Sequence, residues 1–137
     1  MFVCFSKTVL EAVWRIVDEV YHKGLGSIAE RNFRPHVSCT RTTPDGHFVM
    51  AADLGIDQVK IYHFDSKDET LNLVDMISCS INSAPRFFEF SQDGKYLYLM
   101  YEMKNVIDVF SYEASPIILS SIPNCLATAI AITRFST

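Results

Sequence analysis

The chain has 137 residues, 49% of them hydrophobic, and a formal net charge of −4 from 12 Lys and Arg against 16 Asp and Glu. That length suits one domain, and the apolar share is ample for a packed core and excludes a disordered chain. The mild negative charge and the scattered basic residues leave no basic stripe, so no nucleic-acid partner is expected.

Cys4, Cys39, Cys79 and Cys125 lie far apart among apolar neighbours, with no Cys-x-x-Cys spacing. This suits reduced core thiols better than a zinc site or a disulfide framework, and favours a cytoplasmic location. The amino terminus has no basic start, Lys7 and Glu11 interrupt its apolar run, and "CLATAIAI" is too short to span a bilayer. A soluble chain with no membrane partner and no export signal is expected.

In chain order, residues 1–33 read as the end of one structural unit followed by a crossing segment. "FSKTVLEAVWRIVDEV" has the pattern of two strands and their connection, and "YHKGLGSIAERNFRP" leads onward. Two fuller copies of the unit follow. "TPDGHFVMAADLGIDQVKIYHFD" (Thr43 to Asp65) aligns without a gap with "SQDGKYLYLMYEMKNVIDVFSYE" (Ser91 to Glu113), forty-eight residues later. Both copies keep Asp-Gly, and they pair Phe48 with Tyr96, Val49 with Leu97, Asp57 with Asn105, Val59 with Ile107 and Tyr62 with Phe110.

Each copy predicts four strands. "VSCTRTT" and "HFVMAAD" flank Asp45-Gly46, and "FFEFS" and "KYLYLMYE" flank Asp93-Gly94, which is the signature of a tight hairpin. The second strands are almost continuously apolar, as in strands covered on both faces, whereas "QVKIYHF" and "VIDVFSY" alternate. "TLNLVDMIS" and "PIILSSI" supply the fourth strands.

Four short antiparallel strands repeated at a period in the forties indicate a propeller blade. The expected fold is therefore all-β: a partial β-propeller of about two and a half blades in a single domain. Its expected parts are residues 1–33 (end of a preceding blade and crossing segment), 34–83 (blade), 84–124 (blade) and 125–137 (start of the next blade). Closed propellers have typically four to eight blades, so a fragment of a longer product, or a protomer completed by partners, is expected. Uncovered blade faces would favour self-association.

The runs "ERNFRPHVSCTRTTPDGHFVMAADLGIDQVKIYHFD" and "SAPRFFEFSQDGKYLYLMYEMKNVIDVFSYE" resemble the propeller-type lactonase family that includes bacterial 6-phosphogluconolactonase and a carboxymuconate cyclase branch. The motifs that carry the likeness are "PHV", "ADLGID" with a following V-x-I-Y, "APR", and the Glu of "YEMKN". The resemblance implies an interior portion of a seven-bladed ring with a ligand site at one mouth of its channel. It implies a hydrolase of carbohydrate metabolism, acting on a lactone or sugar-acid phosphate of the pentose phosphate pathway. The family usually has His-x-His where this chain has His36-Val37-Ser38, Pro-Arg-His at Pro85-Arg86-Phe87, and Asn-Glu at Tyr101-Glu102. Ser38 and Phe87 favour a non-catalytic propeller remnant used for binding, while the retained His36, Arg86 and Glu102 favour the enzyme, which is the leading reading; the cyclase branch, acting on a carboxylated diene acid, is a third.

Strand direction gives a check that does not depend on the family. If the Asp-Gly turns share one end of the blades, then His36 and Arg86, before or at the start of first strands, share the other end with Asp53, Asp57 and Glu102. Lactone hydrolysis needs a base for water, a donor for the oxyanion, and a cation for a phosphate. His36 and Glu102 are the catalytic candidates; Arg86, Arg31 and Asp53 are the substrate-binding candidates. No nucleophile motif, phosphate-binding loop or metal-ligand cluster is legible, so a water-based mechanism with no metal and no cofactor is expected.

Each candidate also has a structural role open to it. His36 can bond backbone where its strand begins, Asp53 and Asp57 can cap their own loops, and Arg86 can pair with a carboxylate of the next blade. His22, His47 and His63 show no ligand spacing and read as surface or strand residues.

Overall fold

The computed structural model describes residues 2–7, 14–26, 34–114, 117–122 and 127–128. Among these residues every regular element is a strand. β1 (Phe2–Lys7) and β2 (Trp14–Val20) form an antiparallel pair. A four-stranded antiparallel sheet follows, with β3 (Val37–Thr42), β4 (Phe48–Asp53), β5 (Gln58–Asp65) and β6 (Thr70–Ser78) neighbouring one another in chain order. The next sheet repeats that order with β7 (Pro85–Phe90), β8 (Tyr96–Tyr101), β9 (Val106–Ala114) and β10 (Ile117–Ser121). β11 (Ala127–Thr128) pairs with Ile107 and Val106 of β9; the rest of the 125–137 span expected to open a further blade lies outside the described residues. β11 continues the edge on which β10 pairs with the other end of β9, so the fourth strand of this sheet is built in two pieces.

The repeat in sequence is a repeat in hydrogen bonds. Gly46 N donates to Thr43 O at 2.8 Å and Gly94 N to Ser91 O at 2.9 Å. The Thr43 and Ser91 hydroxyls each donate to the aspartate two residues on, at 2.5 Å. Gly46 and Gly94 take φ of 74° and 70°, a region that costs a side-chain-bearing residue about 1–2 kcal/mol. The two hairpins lie side by side, since a Cβ placed on Gly94 would be 3.1 Å from the Pro44 Cβ. Tyr112 also donates its hydroxyl to Asp45 across the sheets at 3.0 Å. The Asp-Gly turns therefore share one end of the stack.

The core lies between sheets. Met50, Ala52, Val59 and Ile61 of one sheet meet Phe88, Leu97, Leu99 and Phe110 of the next, all eight buried. On the other face of the first sheet, Ala51, Tyr62 and Leu71 pack with Val20 of β2. Leu71 N donates to the Asp18 carboxylate at 2.7 Å, which ties β6 to β2. β4 is thus covered on both sides, as its apolar run implies. β8 is not: Leu97 and Leu99 are buried, whereas Tyr96 and Tyr98 remain 39% and 40% exposed. Among the described residues no strand covers the face on which those two tyrosines stand.

Candidate active site at the end opposite the hairpins

The strands place residues 36 and 86 at the same end, and a bulge in each sheet refines the aim. Val37 pairs with Asp53 and Cys39 with Ala52, which leaves Ser38 unpaired; Pro85 pairs with Tyr101 and Phe87 with Met100, which leaves Arg86 unpaired. The bulges occupy equivalent positions of the repeat, and such bulges re-aim side chains next to sites. The bulged Ser38 spends its hydroxyl on the Pro85 carbonyl at 2.9 Å, stitching β3 to β7 beside Arg86. Arg86 turns along its own sheet, and its Nη1 lies 3.2 Å from Glu102 Oε2. The carboxylate that Arg86 meets belongs to its own blade, since Glu102 follows β8, and not to the next one.

His36, Leu54, Arg86 and Glu102 together border an open depression of about 310 Å³. Three of the five expected site residues thus converge from two sheets. The Arg86 and Glu102 side chains are 58% and 28% exposed. Such a pair contributes about 0–1 kcal/mol to stability. Its chemistry matters more: an anion entering the depression meets a guanidinium that can swing from Glu102 to a bidentate contact.

The lead-in to Arg86 is set by strained backbone. Ala84 is buried with φ of 52°, its N–H donates to Asp57 Oδ1 at 2.7 Å, and its carbonyl accepts from Glu102 N at 2.8 Å. Asp57 also accepts from Asn82 N at 2.9 Å. Asp57 therefore caps the segment leading to the next blade, where a cap on its own loop was expected. Phe87, on the other side of Arg86, is roofed by Arg41, whose guanidinium carbon lies 5.3 Å from the ring centroid; Arg41 also pairs with Glu89 at 2.9 Å.

Asp53 does not face the depression. It has no exposed surface, and its Oδ1 accepts from His36 N at 2.7 Å and Gly55 N at 3.0 Å. Its Oδ2 lies 2.6 Å from His22 Nδ1. Burial alone would raise its pKa, but the hydrogen bonds from His22, His36 N and Gly55 N outweigh burial and hold the carboxyl below its ordinary range. The expected substrate-binding role is corrected to that of a buried anchor. His22, read from sequence as a surface or strand residue, is a buried partner of this carboxylate; a lone histidine in a Gly-containing crossing segment carries no signal that would reveal it. His47 and His63 are exposed, and Arg31 lies outside the described residues.

A second depression, of about 270 Å³, has Asp57, Gln58 and Cys79 in its lining. It offers less chemistry, because Asp57 is engaged as a cap and burial pushes the Cys79 thiol up to about 11. Cys39 and Cys79 are free thiols; Cys125 and the side chain of Cys4 lie outside the described residues. Among the described residues, no helix is long and apolar enough to cross a membrane.

Comparison with known proteins agrees with this fold. A protein of Staphylococcus saprophyticus with no assigned function is 34% identical over 99 residues, spanning 72% of this chain and 28% of that protein. A Bacteroides fragilis structure, provisionally described as a 6-phosphogluconolactonase, superposes with a TM-score of 0.75 at 29% identity, over 88% of this chain and 35% of that one. The periplasmic gluconolactonase of Pseudomonas aeruginosa shares the fold, with a TM-score of 0.79 at 24% identity, over 98% of this chain and 37% of that one. The chain therefore spans about a third of the length of the proteins it resembles. The family described as lactonase, seven-bladed β-propeller, matches residues 10–133, and the chain belongs to that family.

Proposed function

We propose that the propeller to which these blades contribute hydrolyses a sugar-acid lactone, with 6-phosphogluconolactone as substrate and 6-phosphogluconate as product. The observation that carries this reading is the meeting of His36, Arg86 and Glu102 around one open depression at the end opposite the hairpins. Water attacks the lactone carbonyl carbon while His36 or Glu102 takes its proton, and the charge that develops on the carbonyl oxygen needs a nearby donor. The ring C–O bond then breaks, and the leaving alkoxide recovers a proton to give the hydroxy acid. Arg86 binds the phosphate, for which a planar, permanently charged fork is suited. The pentose phosphate pathway and a cytoplasmic site of action follow from this substrate; the Pseudomonas relative, described as periplasmic, shows that the fold itself does not fix the compartment.

The second reading, a binding propeller without catalysis, is favoured by one observation: Ser38, where the family usually has a histidine, is spent on the Pro85 carbonyl. One experiment separates the two. In a seven-bladed protein carrying this chain, lactone hydrolysis is measured against the spontaneous rate, and Arg86→Ala is compared on phosphorylated and unphosphorylated lactones. The lactonase reading expects KM for the phosphorylated substrate to rise at least about tenfold more than for the other. Equal effects would remove Arg86 from the site, and no hydrolysis above background would establish the binding reading. The 137-residue chain alone is expected to be inactive, because the rest of the channel mouth comes from other blades.

A further inference from the structure

We propose that the buried His22–Asp53 couple, with Gly55, is a positioning seat for His36; this rests on the reading of His36 as a site residue. Both ends of the His36 residue are bonded to one short loop. Its N–H donates to Asp53 Oδ1 at 2.7 Å, and its carbonyl accepts from Leu54 N at 3.0 Å. The next residue in that loop, Gly55, leaves no room for a side chain. A Cβ there would lie 1.7 Å from the Arg34 carbonyl oxygen and 2.9 Å from His36 N. The backbone of residues 34–36 is therefore laid directly on the 53–55 loop. Only the imidazole side of His36 remains directed away from these bonds, and the residue as a whole is exposed.

The second sheet provides an internal comparison. The bond from Leu54 N to His36 O recurs forty-eight residues later as Glu102 N to Ala84 O, so that link is common to both blades. Tyr101 and Met103 stand where Asp53 and Gly55 do, and Ala84 stands where His36 does. The Ala84 amide also meets a carboxylate, but that of Asp57 from the preceding blade; only at His36 do the carboxylate and a glycine come from the same loop of the blade that carries the imidazole. His22 reaches that carboxylate from the segment after β2, stacked on Tyr62 with ring centroids 6.1 Å apart. Because Asp53 is ionised, it only accepts, and His22 Nδ1–H is the donor. The donation fixes Asp53 Oδ2, leaving Oδ1 aimed at the His36 and Gly55 amides. His22 and Asp53 are accordingly positioning residues that act through the His36 backbone.

Amide hydrogen exchange on the 15N-labelled 137-residue chain tests this without catalysis. His22→Ala is expected to lower protection at His36 and Gly55 by at least about tenfold, while Leu97 and Val109 change less than about threefold. His22→Asn, whose Nδ2 donates from a place close to that of Nδ1, is expected to restore most of it. Gly55→Ala is expected to lose protection at His36 whatever stands at position 22. Unchanged exchange at His36 in His22→Ala, loss shared equally by Leu97 and Val109, or failure of Asn to rescue would each overturn the proposal. If His22→Ala does not fold, His22→Asn must keep and Gly55→Ala must lose the protection. In a seven-bladed protein carrying this chain, His22→Ala should also lower kcat about tenfold with KM nearly unchanged, the mark of a displaced catalytic group. A KM rise without a kcat fall would overturn the positioning role. An intact exchange pattern with no lactone hydrolysis would overturn the lactonase reading and leave the seat standing.

Discussion

Asp53 sits with no exposed surface, yet its carboxyl titrates below the ordinary value of 3.8. Desolvation opposes this, and three donors more than offset it. A carboxyl whose folded pKa lies below its unfolded one contributes stability that is fully present above the unfolded value and is lost as pH falls through the folded one. Asp45 is depressed in the same sense: burial raises it, but Thr43, Tyr112 and the His47 amide outweigh that. Stability to urea, followed by circular dichroism, is therefore expected to be flat down to about pH 5 and to fall steeply below about pH 4. Asp53→Asn should be less stable than the parent near neutrality and should show a shallower acid limb. An equally steep limb in the variant would mean that Asp53 is not a source of the acid sensitivity.

At the scale of the element, the same pair of strands meets two environments. Phe88 of β7 has no exposed surface and packs between the two sheets, whereas Tyr98 on β8 faces away and is 40% exposed. Removing a fully packed ring leaves both a lost transfer term and a cavity, so Phe88→Ala is expected to cost about 3–5 kcal/mol. Tyr98→Ala is expected to cost under about 1 kcal/mol. Urea midpoints of the two variants test the difference, and a Tyr98→Ala cost equal to that of Phe88→Ala would show that the outer face of the second sheet is covered as well. The bulges at Ser38 and Arg86 belong to this scale too. They give equivalent strands different tasks, one stitching sheets together and the other presenting a cation.

For the whole molecule, the uncovered surfaces set the expected behaviour. Tyr96 and Tyr98 on the second sheet, and Leu73, Val74 and Met76 on β6, are between 39% and 50% exposed. Apolar side chains left uncovered in this way favour association with like surface. The 137-residue chain is expected to self-associate, with a sedimentation coefficient that rises with protein concentration. Tyr98→Lys should shift the distribution toward monomer. A concentration-independent monomer with a cooperative melt would show that these faces do not need a partner.

The sequence by itself determined the repeat, the hairpins and the family, because Asp-Gly turns, period-two alternation and ungapped self-similarity are local signals written within each strand pair. It also brought His36, Arg86 and Glu102 to one end, since antiparallel strands of known direction leave no other place for their ends. The bulges were not legible, because Ser38 and Arg86 become unpaired only relative to the register of β4 and β8. The pairing of Arg86 with Glu102 of its own blade and the capping of the Ala84 segment by Asp57 were decided by tertiary structure, through contacts between sequence-distant loops. The same holds for Asp53 and His22. Thirty-one residues separate them, neither lies in a pattern that marks burial, and only the stacking of one blade's exit on the next blade's loop removes both from water and turns an expected ligand contact into an internal bond.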